Sequence, residues 1–122
     1  NRNIDSISGP DLARPATRVI TSSGIISVQK AKVPITWEAD DGTRGSGISK
    51  VQLFYRRNGG NYQSYGTFSE NPIFFKDEKL GGVYDFYTIG TDNAGNKEIK
   101  AANSECRLTV EYNPDISGWT TQ

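Results

Sequence analysis

Residues 50–68 read KVQLFYRRNGGNYQSYGTF, and the fold turns on how this stretch is read. Val51, Leu53 and Tyr55 alternate with Lys50, Gln52 and Arg56, the period of two that a strand with one buried face requires. The Asn58-Gly59-Gly60 run then supplies residues that tolerate positive φ, the chemistry of a tight hairpin turn. Tyr62–Phe68 follows as the returning strand.

The same alternation extends outward. Upstream, 16–21 forms a first short strand. Val33, Ile35, Trp37 and Ala39 share one face of the next, opposite Thr36 and Glu38, which puts Trp37 at the centre of the core. The turn-rich stretch DDGTRGSG at 40–47 leads into the hairpin. Downstream, Ile73 and Phe75 belong to another short strand. Gly81-Gly82 separates it from a strand over 83–91, and Asp92-Asn93-Ala94-Gly95-Asn96 makes a tight loop. Leu108 and Val110 point inward from a last strand over 107–112. No stretch carries a helical period. About seven short strands with turn signals between them predict an all-β, antiparallel seven-stranded sandwich. Residues 1–15 and 113–122 are rich in polar residues, Pro and Gly and read as linkers, with Trp119 in the second. That leaves 16–112 as the one domain.

Composition narrows the function. Lys plus Arg and Asp plus Glu both number 14, so the basic excess of a nucleic-acid binder is missing. No apolar run is long enough for a signal peptide or a transmembrane helix, so direct membrane insertion is not expected. Cys106 is the single cysteine. It alternates with Leu108 and Val110 and is expected buried, and it rules out a core disulfide and a cysteine-based zinc site. With no histidine in the chain, the usual general base and the Ser-His-Asp arrangement are missing too. The absence of an Asn-x-Ser/Thr sequon fits a prokaryotic source.

Several pieces in order carry a family resemblance: Trp37-Glu38-Ala39-Asp40, Ser46-Gly47-Ile48, Val51-x-Leu53-x-Tyr55, Gly82-x-Tyr84-x-Phe86-Tyr87, and Asp92 to Glu98. The chain resembles the fibronectin type III-like and bacterial immunoglobulin-like modules of secreted multidomain proteins. The resemblance implies an immunoglobulin-like strand order, A-B-E packed on C-C′-F-G, with the B–C and F–G loops at one end. It implies a non-catalytic, extracellular or cell-surface module flanked by other domains. One departure concerns Leu80, which precedes Tyr84 by four positions where animal fibronectin type III domains have six. The corner before that strand is therefore expected to be built differently. Thr88 and Gly90, in phase with Tyr84 and Phe86, are expected to leave room for Trp37.

Two binding readings compete with a purely structural role. Asp40, Asp41, Asp92, Asn93 and Asn96, with Ser46 and Glu98 nearby, offer the oxygens that calcium requires, although the same residues are what tight turns use and Arg44 could neutralise an Asp. Phe54, Tyr62, Tyr65, Phe74 and Tyr87 fall outside the core phase, which suits a glycan- or protein-binding face on the C-F-G sheet. No cofactor is called for. Neither Gly45-Ser46-Gly47 nor Asn58–Asn61 continues as a phosphate loop.

Overall fold

The computed structural model describes residues 13–28, 32–41 and 47–112. The linker readings for 1–12 and 113–122, Trp119 included, lie outside the described residues, as do Arg44, Gly45 and Ser46. The strands are β1 (Ala16–Val19), β2 (Gly24–Val28), β3 (Lys32–Ile35), β4 (Trp37–Asp40), β5 (Ile48–Arg57), β6 (Gln63–Phe68), β7 (Ile73–Lys76), β8 (Gly82–Asp92) and β9 (Cys106–Tyr112). No helix occurs among the described residues. One sheet has the order β2-β9-β8-β5-β6; the pairs β1-β4 and β3-β7 make up the other side. The chain is thus all-β, with its sheets packed about a common core in the manner of a β-sandwich.

The hairpin forms as its sequence predicts. Asn58 (φ 53°) and Gly59 (φ 76°) both adopt left-handed backbone, and the Gly60 N–H donates to the Arg57 carbonyl at 3.0 Å. Opposite it, the β5–β6 register slips between Leu53 and Phe54, leaving Tyr65 as the extra residue of a bulge. The Tyr65 hydroxyl then reaches the free edge of β7. There it donates to the Phe74 carbonyl at 3.3 Å and accepts from the Lys76 N–H at 2.9 Å.

Two features depart from the expected seven antiparallel strands. Nine strand segments form among the described residues, and β2 runs parallel to β9. The run expected over 33–39 is split at Thr36 into β3 and β4, and Pro34 accounts for the change of partner. Phe74 lies opposite Pro34, and its carbonyl points away from β3 toward Tyr65. In an antiparallel ladder such a pair turns its polar groups outward on both sides. The N–H that Pro34 lacks would therefore have faced the side where β1 runs. Pairing on that side is confined to β1 with β4; the chain then crosses and re-pairs as β2 along β9. Thr36 holds the crossing, accepting from the Ile20 N–H and donating to Thr21 Oγ1, each at 2.8 Å.

The core is built from Val19, Val33, Ile35, Ile73 and Phe75 on one side and Leu53, Tyr84, Phe86, Cys106, Leu108 and Val110 on the other. Each large side chain so buried contributes about 1.5–3 kcal/mol. Phe75 sits at the centre, 5.1 Å edge-on from both Tyr84 and Phe86. Trp37 is not there. It is half-buried at the margin, where its Nε1 donates to the Glu70 carbonyl at 3.0 Å and its backbone pairs with the Asn71 side chain. The break at Thr36 carries it off the β3 face, and Ala39 is exposed. Thr88 and Gly90 do face inward, but the residue they accommodate is Thr17. A Cβ on Gly90 would lie 2.5 Å from Thr17 Cγ2.

The corner before β8 is built by an acid. The Leu80 side chain is exposed and leaves the corner to its backbone, which has φ 55° and donates its N–H to the Asp77 carbonyl at 3.3 Å. Buried Asp77 accepts from the Lys79 and Gly81 N–H groups and from the Tyr84 hydroxyl. Burial first, and then this bond to Asp77, push the Tyr84 phenol well above its ordinary range.

Candidate functional site

The oxygen-rich loops do meet at one end, where the Asn93 N–H donates to the Gly47 carbonyl at 2.8 Å. Their carboxylates serve the turns. Buried Asp92 accepts at Oδ1 from the Ala94 and Asn96 N–H groups, and at Oδ2 from Asn96 Nδ2. Asp41 Oδ2 accepts from the Gly47 N–H at 2.9 Å, while Asp40 is exposed at the end of β4. Among the described residues no group of three or more Cys, Asp or Glu side chains is arranged to hold a metal ion.

Glu98, counted with these loops from sequence, lies elsewhere. β9 pairs with β8 only as far as Phe86, so the flank of β8 beyond it needs other partners. Segment 97–105 supplies them with backbone at its two ends, where the Glu98 and Glu105 N–H groups donate to the Gly90 and Phe86 carbonyls, each at 2.8 Å, and with side chains. Glu98 accepts from the Thr17 N–H, the Thr17 hydroxyl and the Gly90 N–H, at 2.9, 2.6 and 2.9 Å. The Thr17 hydroxyl proton goes to Glu98, so Thr88 donates to Thr17 Oγ1 at 2.8 Å. Glu105 accepts from the Val19 and Thr88 N–H groups. Lys100 lies between the two acids, 3.2 Å from Glu98 and 2.5 Å from Glu105, and also donates to the Thr17 carbonyl. Two carboxylates thus bridge β1 and β8 beyond the reach of β9. The partners on β1, Thr17 and Val19, are 81 and 86 residues from their acids and no motif marks the set, so sequence reading missed it.

The aromatic residues sort into two groups. On the outer face of β5 and β8, Phe54 and Tyr87 are register partners and stack in parallel at 4.7 Å; Tyr62 meets Tyr87 edge-on at 4.8 Å. Tyr87 is buried, and Phe54 and Tyr62 are half-buried, so the rings cover one another rather than offer a platform. Beside them Asp85, 1% exposed, is clasped by Arg56, by Arg107 and by the Ser104 hydroxyl. The Arg107 hydrogen bond is foremost in holding the Asp85 carboxyl well below the usual carboxylate range, against its burial. Phe74, 54% exposed, is isolated on β7.

The second group floors a groove of about 400 Å³ between β6 and the β7–β8 connection. Half-buried Tyr55 and Tyr65 supply its exposed ring surface, backed by buried Phe75 and Tyr84. A shallower hollow of about 260 Å³ surrounds Ile89 on the outer face, between Lys50 and Lys97. The groove combines apolar rings with a polar rim, the make-up of a small-molecule site. Compared with protein-family models and with curated proteins, the chain matches none.

Proposed function

We propose that this chain is a non-catalytic immunoglobulin-like or fibronectin type III-like module, a structural spacer or interaction unit of an extracellular or cell-surface multidomain protein. What supports the fold assignment is the divided first strand, β1 antiparallel on β4 and β2 parallel on β9, together with the order β9-β8-β5-β6. Seven strand positions result when β1 with β2, and β3 with β4, are each counted once.

The observation that carries the functional reading is the state of the buried acids. Asp77, Asp85, Asp92 and Glu98 each bind backbone N–H groups, hydroxyls or guanidinium groups that hold a corner, a sheet face, a loop or a strand flank. None of the four lines the groove or the hollow around Ile89. Acid–base chemistry needs a carboxyl facing a substrate, and these face the fold. The test is turnover on glycan, ester and peptide substrates. No turnover is expected, and hydrolysis abolished by a single carboxylate substitution would overturn the reading.

A further inference from the structure

The groove between β6 and the β7–β8 connection has a chemistry that the spacer role does not use. Its rim carries Arg57, Lys76 and Lys79 against one carboxylate, Glu78, in a chain whose net charge is zero. Arg57 is held in advance: its Nε and Nη2 donate to the Gly81 carbonyl at 3.0 and 2.7 Å. Its guanidinium lies against Gly82, where a Cβ would come within 2.7 Å of Nε and displace it. The Tyr84 hydroxyl is a further partner of Arg57. A guanidinium has five N–H groups, so some remain for a ligand, and ordering it beforehand removes an entropic cost of binding. Asn61 and Gln63 line the groove with amide groups; the Ser64 hydroxyl is taken up by Gln52, from whose Nε2 it accepts at 2.8 Å.

Ring surface, neutral hydrogen-bonding groups and a fixed cation match three parts of one ligand class. We propose that this groove binds a hexuronate unit of an acidic polysaccharide. The apolar face of the sugar ring lies on Tyr55 and Tyr65, its hydroxyls meet Asn61 and Gln63, and its carboxylate meets Arg57 with Lys79 nearby. The two oxygens of a carboxylate match the paired N–H groups of a guanidinium. The spacer reading does not depend on this site and stands whichever way the test comes out.

The test is titration of the ¹⁵N-labelled chain with a galacturonic acid oligomer. A neutral galactose oligomer of equal length and an acidic peptide serve as controls. Saturable shifts are expected at the amides of Asn61, Ser64, Lys76 and Lys79. The neutral oligomer should bind about tenfold more weakly, the worth of one charge-assisted contact. Arg57→Gln should weaken the uronate to a similar degree. Because Arg57 also braces Gly81, Lys79→Ala, altering an exposed side chain, is the second variant, and it should weaken the uronate by roughly threefold without moving the thermal midpoint. No shifts, equal shifts with the neutral sugar, shifts centred on the hollow between Lys50 and Lys97, or preference for the peptide would each overturn the proposal.

Discussion

At the scale of single residues, a missing methyl and a clasped carboxylate are the most informative. Gly90 is glycine because Thr17 Cγ2 occupies the space a side chain would need. Gly90→Ala should therefore cost about 1–3 kcal/mol in urea denaturation. Thr17→Ser deletes the offending methyl and keeps the hydroxyl for Glu98 and Thr88, so adding it should recover most of that loss. If the double variant is no more stable than Gly90→Ala alone, the close approach is not the cause. Asp85 makes a prediction about pH. Its folded-state carboxyl titrates below its unfolded value, so the stability it lends is complete above about pH 4 and drains away as the pH falls further. Asp85→Asn should flatten that acid limb and, by weakening the bonds from Arg56 and Arg107, cost roughly 2–3 kcal/mol at neutral pH. An unchanged acid limb would mean another carboxylate governs it.

Among the elements, segment 97–105 and loop 92–96 show what sequence could and could not deliver. The Asn58-Gly59 turn, the phase of β5 and β8 and the burial of Cys106 are all legible, since turn chemistry and alternation are local. Strand β2 is not, because Gly24–Val28 is a half-exposed edge whose pairing with β9 is decided across the whole chain. Trp37 defeats the alternation rule because the pairing changes partner at Thr36, one residue before it. Segment 97–105 forms no strand for alternation to mark: its backbone meets β8 only near its ends, and its acids bind the rest. Glu98→Ala strands the Thr17 N–H, the Thr17 hydroxyl and the Gly90 N–H, and should cost roughly 3 kcal/mol. In hydrogen exchange, the Thr17 and Gly90 amides should lose protection while Leu53 keeps its own; uniform loss would deny segment 97–105 a local role. For loop 92–96 the expected outcome is a thermal midpoint equal in millimolar calcium and in excess chelator, because both Asp92 oxygens are already taken up by their own loop. A rise with calcium that vanishes in Asp92→Ala would establish an ion site there.

For the molecule as a whole, the buried thiol reports on cooperativity. Cys106 is 1% exposed in the core, opposite Phe86 on β8, and burial pushes its thiol up from its ordinary value. A thiol reagent should therefore react only through opening of the fold. Its rate should rise with urea in parallel with the unfolding constant measured by tryptophan fluorescence. A rate independent of urea would place the opening in local fraying of β9 rather than in global unfolding. Whole-molecule architecture is the level that sequence conveys best: an all-β, sandwich-like packing, strands at the positions of β5 and β8 and the meeting of the two oxygen-rich loops at one end are expected from it. The division of the first strand between the two sides is not, because the proline that accounts for it sits on a different strand.

That division has a mechanical consequence. A tether pulling on the chain before β1 and after β9 draws β2 and β9 in opposite directions. Because the two run parallel and side by side, from Gly24 opposite Leu108 to Val28 opposite Tyr112, tension slides one along the other rather than unzipping them from an end. Their hydrogen bonds then share the load and must fail together, whereas an antiparallel hairpin pulled from its open end gives way one rung at a time.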